Sequence, residues 1–215
     1  MGVSTDPVAT TVGIVDVGIA NLGSIERTLK EICDRVVVVT QPSDLASLDR
    51  LILPGVGAFP IAMKRLEAAG LTDGIRHFVN DLQRPTLGIC LGMQLLATEG
   101  EEHELTAGLN LIKGRVRRFK DTAGIRVPHV GWNSVDIKRQ SSIFSSVKSG
   151  NDFYFVHSYV FEVADEAALV ATACNGEHFS ASVERGNVVG VQFHPEKSSR
   201  IGRILLKNFC EWDPC

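Results

Sequence analysis

The chain has 215 residues, 44% hydrophobic and 22% charged, which suffices to bury one substantial core and suits one globular unit better than two. A formal net charge of −3 excludes a general basic field for nucleic acid, and no apolar stretch approaches the length needed to span a bilayer. Five cysteines, at 33, 90, 174, 210 and 215, form no C-x-x-C pair and leave an odd count, which argues against a disulfide framework or a zinc ribbon. No metal or cofactor is expected. The first residues lack both the apolar core and the basic cluster of a secretion signal, so the expected compartment is the cytoplasm, or an organelle stroma if a transit peptide has been removed. Residues 1–10 read as a short tail and 11–215 as a single domain.

In chain order, residues 12–17 form a short apolar run, and Leu22, Ile25, Leu29 and Ile32 recur at helical spacing within 21–32, which predicts a strand followed by a helix. The pattern repeats: 36–39 are four valines that read as a buried strand, 42–48 as a short helix and 51–53 as a third strand. Strands joined by helical crossovers imply parallel pairing. Residues 60–69 read as a helix opening on Pro60 and stopping at Gly70, 73–82 as another, and 86–89 as a strand. Beyond Gly108 the texture turns to β-like runs at 109–119, 133–138, 152–163, 169–174, 180–184 and 188–193, and a helix over 199–212 closes the chain. Arg115, Arg117, Arg118 and Lys120 alternate with Val116 and Phe119 and read as the solvent face of a strand.

The most informative stretch is Gly88-Ile89-Cys90-Leu91-Gly92. Glycines two residues to either side of a cysteine, between a strand-like and a helix-like run, copy the nucleophile elbow, in which small flanking residues let the chain turn sharply and expose the central side chain. A thiol at the first turn of a helix meets unpaired backbone N–H groups, a setting that favours thiolate and can also receive an oxyanion. The competing reading is inert packing, since free cysteine is among the most buried residue types.

A thiolate nucleophile needs a partner to protonate the departing group. His194 follows the 188–193 strand, Pro195 stiffens its turn, and Glu196 can accept from its second ring nitrogen and fix the tautomer. In an open α/β sheet ligands sit beyond the carboxyl ends of the strands, where Gly55, Cys90 and His194 would meet. His157 is the rival base: it also ends a strand, but no carboxylate follows it. The loop Pro54-Gly55-Val56-Gly57 lies at a third strand end, and its glycines allow a backbone N–H to turn toward a developing negative oxygen; an ordinary turn is the alternative.

Together, Pro54-Gly55-Val56-Gly57, Gly88-Ile89-Cys90-Leu91-Gly92-Met93-Gln94 and Gln192-Phe193-His194-Pro195-Glu196-Lys197 resemble the motifs of the triad-type (class I) glutamine amidotransferases over nearly the whole chain. Within that family, Pro128-His129-Val130-Gly131-Trp132-Asn133 and Tyr154-Phe155-Val156-His157-Ser158-Tyr159 are similar to motifs of the glutaminase subunits of imidazole glycerol phosphate synthases. The resemblance implies an α/β, flavodoxin-like three-layer fold, with a mostly parallel central sheet and additional strands in the second half. It implies that Cys90 attacks the side-chain amide of glutamine, with His194 as base and acid oriented by Glu196. Leu91 N–H and a peptide N–H near Val56 or Gly57 would form the oxyanion hole, the latter poorly oriented in that family until a partner and its ligand are engaged. Gly55, Gln94, Glu102, Ser158 and Tyr159 match the glutamine pocket, with the Glu102 carboxylate suited to the substrate's α-amino group.

The partner implied by the resemblance is a (β/α)8-barrel cyclase that uses the ammonia on a phosphoribosyl nucleotide intermediate, in histidine biosynthesis. Asn21, Trp132 and Lys197 match positions at or near that interface. Two departures touch the same side: Ala20 stands where a glycine is usual, and Val17 where an aromatic is common. Three further readings stay open on the residues alone: the glutaminase subunit of another biosynthetic synthase, a stand-alone γ-glutamyl cysteine hydrolase, and a catalytically silent binding subunit.

Overall fold

A computed structural model of the protein describes residues 8–18, 22–120 and 126–214. The first half alternates strands and helices: β1 (Val8–Val15), α1 (Leu22–Lys30), β2 (Cys33–Val39), β3 (Arg50–Leu53), α2 (Phe59–Ala68), α3 (Leu71–Asn80) and β4 (Thr86–Ile89). The short helix α4 (Leu91–Leu95) follows, with the two-residue strands β5 (Glu99–Gly100) and β6 (Thr106–Ala107) and then β7 (Gly114–Arg118). The remainder is mostly β: β8 (His129–Ile137), β9 (Asn151–His157), β10 (Tyr159–Val163), β11 (Leu169–Asn175), β12 (Glu177–Arg185) and β13 (Val188–Val191), closed by α5 (Ser199–Glu211).

Nine strands form the main sheet in the order β2-β1-β3-β4-β13-β12-β11-β8-β9. From β2 to β13 neighbours run parallel, as helical crossovers require, and from β13 to β9 they are antiparallel. One face packs on α1 and α5 through Ile25, Leu29, Leu205, Leu206 and Phe209. The other packs on α2 and α3 through Phe59, Leu66, Ile75 and Phe78, at the spacing that lines one side of a helix. Strands β3, β4 and β13 are buried on both faces and accordingly carry almost unbroken apolar sequence. A second sheet, β10-β7-β5-β6, is tied to the first by Arg117 of β7, whose guanidinium bridges Glu162 of β10 and Glu177 of β12. Of the basic run, Arg115 and Arg118 are exposed on β7 and Arg117 is half-buried in its ion pairs, while Val116 is buried; Phe119, buried, and Lys120, exposed, lie just past the strand.

Several boundaries differ from those read in the sequence. β1 begins at Val8, paired with Cys33 of β2, so residues 8–10 are strand and not tail. Residues 42–47 form a 3-10 turn. Residues 109–113, with apolar Leu109, Leu111 and Ile112, are not strand: the N–H groups of those three donate to the carbonyls of Leu95 and Leu96 at the end of α4, where their side chains are buried. The 152–163 run breaks at Ser158 into two strands that belong to different sheets. The final strand stops at Val191, and Phe193 stacks on Phe153 with ring centroids 4.0 Å apart.

Candidate active site

Strands β4 and β13 are parallel neighbours in register from Thr86↔Val188 to Ile89↔Val191, so the residues that follow them emerge side by side at the carboxyl edge of the sheet. Cys90 follows β4 and has φ 53° and ψ −110°, a conformation that costs an L-residue on the order of 1–3 kcal/mol. Its N–H donates to Val191 O at 2.8 Å, which anchors the turn to β13. The flanking glycines permit the turn by close approach. A Cβ on Gly92 would stand 1.6 Å from the Leu53 carbonyl oxygen, and one on Gly88 would stand 2.7 Å from backbone atoms of Gly92 and Met93. The helix that starts here, α4, is only five residues long, so the dipole expected from the sequence is that of little more than one turn.

His194 lies just past β13, its N–H donating to Tyr154 O at 2.9 Å and its carbonyl accepting from the Ser198 hydroxyl at 2.6 Å. Its Nδ1 meets Glu196 Oε1 at 2.8 Å, and the two side chains are 3% and 4% exposed. Burial disfavours the charged ring, but the Cys90 thiol and the Glu196 carboxylate outweigh it and push the His194 pKa up to about 9. The ring is therefore an imidazolium at neutral pH. Its Nε2 is buried without a hydrogen bond in this geometry; the Cys90 sulfur acts on the ring from close by, outside hydrogen-bond geometry. Glu196 Oε2 is likewise buried and unbonded.

Cys90 opens into a cavity of about 260 Å³ whose wall includes Val56, Gly57, Leu91 and Gln94. Glu102, Pro128, Val156, His157, Ser158 and Tyr159 complete it. Gly55 lines a smaller recess shared with His194 and Glu196. Gly57 adopts φ 107°, a region that glycine enters without strain. Glu102 Oε2 accepts the Phe59 N–H at 2.7 Å, which fixes the carboxylate at the start of α2. Gln94 is buried, and its Nε2 donates both to Tyr159 O at 3.0 Å and to Gln192 Oε1 at 3.1 Å.

Trp132 and Lys197 lie outside the cavity. Trp132 is 52% exposed and packs against Tyr154 of β9, over whose ring the Lys197 ammonium sits at 5.9 Å. Asn21 and Ala20 fall outside the described residues. His157 does not fit the role of rival base: its Nδ1 meets Tyr159 O at 2.8 Å, its Nε2 meets His129 Nδ1 at 3.0 Å, and burial drives its pKa down to about 3. The residue the sequence reading passed over is Gln192. It is fully buried, and its Nε2 donates toward the Cys90 sulfur at 3.7 Å. A polar side chain at the end of an otherwise apolar strand was the available signal.

The family model for Glutamine amidotransferase class-I matches residues 13–212. The chain is 46% identical over 200 residues to the imidazole glycerol phosphate synthase subunit HisH of Moorella thermoacetica, covering 93% of this chain and 94% of that one. It is 45% identical to imidazole glycerol phosphate synthase subunit HisH 2 of Vibrio vulnificus, covering 93% of each. Among solved structures, a glutamine amidotransferase superposes with a TM-score of 0.74 at 21% identity, covering 93% of this chain and 97% of that one. A glutamine amidotransferase from Thermotoga maritima gives a TM-score of 0.65 at 20% identity, covering 95% and 86%. These structural likenesses bear on fold alone, and they assign the three-layer arrangement to the flavodoxin-like class I glutamine amidotransferase architecture.

Proposed function

The chain belongs to the class I glutamine amidotransferases, and on that footing we propose that it is the glutaminase subunit of an imidazole glycerol phosphate synthase, with Cys90 as nucleophile. The observation that carries the assignment is the buried His194–Glu196 pair, 2.8 Å apart, set beside the strained Cys90 turn on neighbouring strands. The Cys90 sulfur, its proton already held on Nε2 of the His194 imidazolium, attacks the side-chain carbonyl carbon of glutamine. Negative charge gathers on the amide oxygen, for which the Leu91 N–H and the N–H of Val56 or Gly57 are the donors. The imidazolium then protonates the departing nitrogen, the C–N bond breaks, and ammonia leaves a γ-glutamyl thioester. In the second half His194 takes a proton from water, the hydroxide oxygen attacks the thioester carbon, and the sulfur departs, freeing glutamate. Glu196 holds the ring in the tautomer that presents Nε2 to the sulfur.

Glutamine fits the cavity chemically: Glu102 offers a carboxylate to the α-ammonium, and the Ser158–Tyr159 segment and Gln94 offer polar groups along the chain of the substrate. The ammonia goes to a (β/α)8-barrel cyclase subunit, which adds it to a phosphoribosyl nucleotide intermediate in the cytoplasm. Exposed Val56, Val130 and Trp132, with Lys197 nearby, provide the apolar and cationic surface for that partner. No helix among the described residues is long and apolar enough to cross a membrane.

The test is a Cys90→Ala variant assayed with the cyclase and its nucleotide ligand. Glutamine-supported turnover should fall by at least about 10³-fold while turnover on added ammonium persists. Glutamate release from glutamine that survives in the variant would overturn the assignment.

A further inference from the structure

His129 and His157 face each other across the β8–β9 pair, and neither has a part in the chemistry above. Both are buried, at 8% and 6% exposure, in a cage of phenyl rings: Phe155 stacks on His129 at 5.0 Å, and Phe179 and Phe119 lie 5.0 and 5.1 Å from His157. With both rings neutral, their hydrogen bonds admit only one arrangement of protons. A carbonyl oxygen cannot donate, so the 2.8 Å contact between His157 Nδ1 and Tyr159 O puts the proton on Nδ1. Nε2 must then accept, so His129 Nδ1 donates across the 3.0 Å contact between the rings. His129 Nε2 accepts in turn from Asn133 Nδ2 at 3.1 Å, and the same amide donates to Cys174 O at 2.8 Å.

The far end of this chain reaches the substrate cavity. Tyr159 O accepts from His157 and also from Gln94 Nε2, which in turn is shared with Gln192, the donor to the Cys90 sulfur. Every link has a defined direction, from Asn133 on β8 to the carbonyl that separates the Ser158–Tyr159 wall from Gln94. Because side chains alternate along a strand, β8 carries His129 and Asn133 inward while Val130 and Trp132 face outward. The strand presents its exposed face to solvent and its histidine to the cavity wall.

We propose that His129 and His157 are positioning residues for glutamine: their one-way hydrogen-bond chain fixes the Tyr159 carbonyl, and through it Gln94 and the wall against which the substrate lies. The proposal rests on the reading of that cavity as the glutamine site. Both rings are neutral, His157 because burial lowers its pKa to about 3, as a chain of single donors and single acceptors requires.

Two measurements test it. In the complete complex, His129→Leu removes the donor to His157 and should raise the KM for glutamine about tenfold with kcat changed less than threefold, the loss of one buried hydrogen bond. His129→Gln, which keeps an N–H donor, should recover most of that change. A KM unaltered in both variants, or a fall in kcat equal to or larger than the rise in KM, would overturn the proposal. Nitrogen-15 spectra of the wild-type imidazoles at pH 7 require no variant to fold: His157 and His129 should each show a protonated Nδ1 and an unprotonated Nε2. The opposite tautomer at His157 would overturn the proposal as well. Failure of the underlying reading is distinguishable, because the wild-type complex would then turn over on ammonium and not on glutamine.

Discussion

His194 and His157 begin from nearly the same place in the sequence and end in opposite states. His157 closes β9 and His194 lies just past β13, and each is almost sealed from solvent, yet one is held up at about 9 and the other down to about 3. Burial acts on both in the same direction, against the charged ring. The difference lies in the partners: His194 has a carboxylate at Nδ1 and a thiol beside Nε2, whereas His157 has a backbone carbonyl, a second neutral imidazole and three phenyl rings. A buried histidine becomes an acid–base group when anions face it, and a structural hydrogen-bonding element when they do not.

The largest way to break the contrast is Glu196→Gln, which removes the charge at Nδ1 and leaves the shape. Glutamine turnover in the complex should fall by about 10²–10⁴-fold in kcat, and the His194 pKa, followed by imidazole NMR, should drop. The pH dependence of stability should differ in sign between the two rings. A pKa raised from 6.5 to about 9 gives His194 a stabilising contribution that is complete below pH 6.5 and fades as the pH climbs through 9. A pKa lowered to about 3 makes His157 cost stability as the pH falls from 6.5 toward 3, because the unfolded chain binds the proton that the folded one refuses. Denaturant titrations of His194→Gln and His157→Gln against wild type at pH 4, 7 and 9.5 should show the first gap narrowing at high pH and the second acid slope shrinking. The smallest effect belongs to Gln192→Met, which removes the link between the two regions. A few-fold loss of kcat is expected, from the loss of one weak N–H contact to sulfur and of the acceptor for Gln94 Nε2, read in the same glutaminase assay.

What the sequence revealed and what it concealed divide along the same line. The elbow was legible because close approach demands glycine at 88 and 92, and His194 with Glu196 because the pair is local, two residues apart on one turn. The histidine pair was not, because its two members are 28 residues apart and meet only through the register of β8 with β9. Apolar periodicity likewise could not distinguish Leu109, Leu111 and Ile112 from a strand, since what decides is where their N–H groups find acceptors. The break at Ser158 was hidden for a related reason: the residues on both sides have strand-like composition, and only the change of pairing partner from β8 to β7 separates them.

The contact between Gly92 and the Leu53 carbonyl has a mechanical consequence. At that point, and again where the Gly55 backbone lies against the Leu91 side chain, the loop after β3 and the turn after β4 interlock so tightly that neither can slide past the other. Of the two glycines in this loop, Gly57 has open space where a Cβ would stand. The loop is therefore tight at Gly55 and open at Gly57.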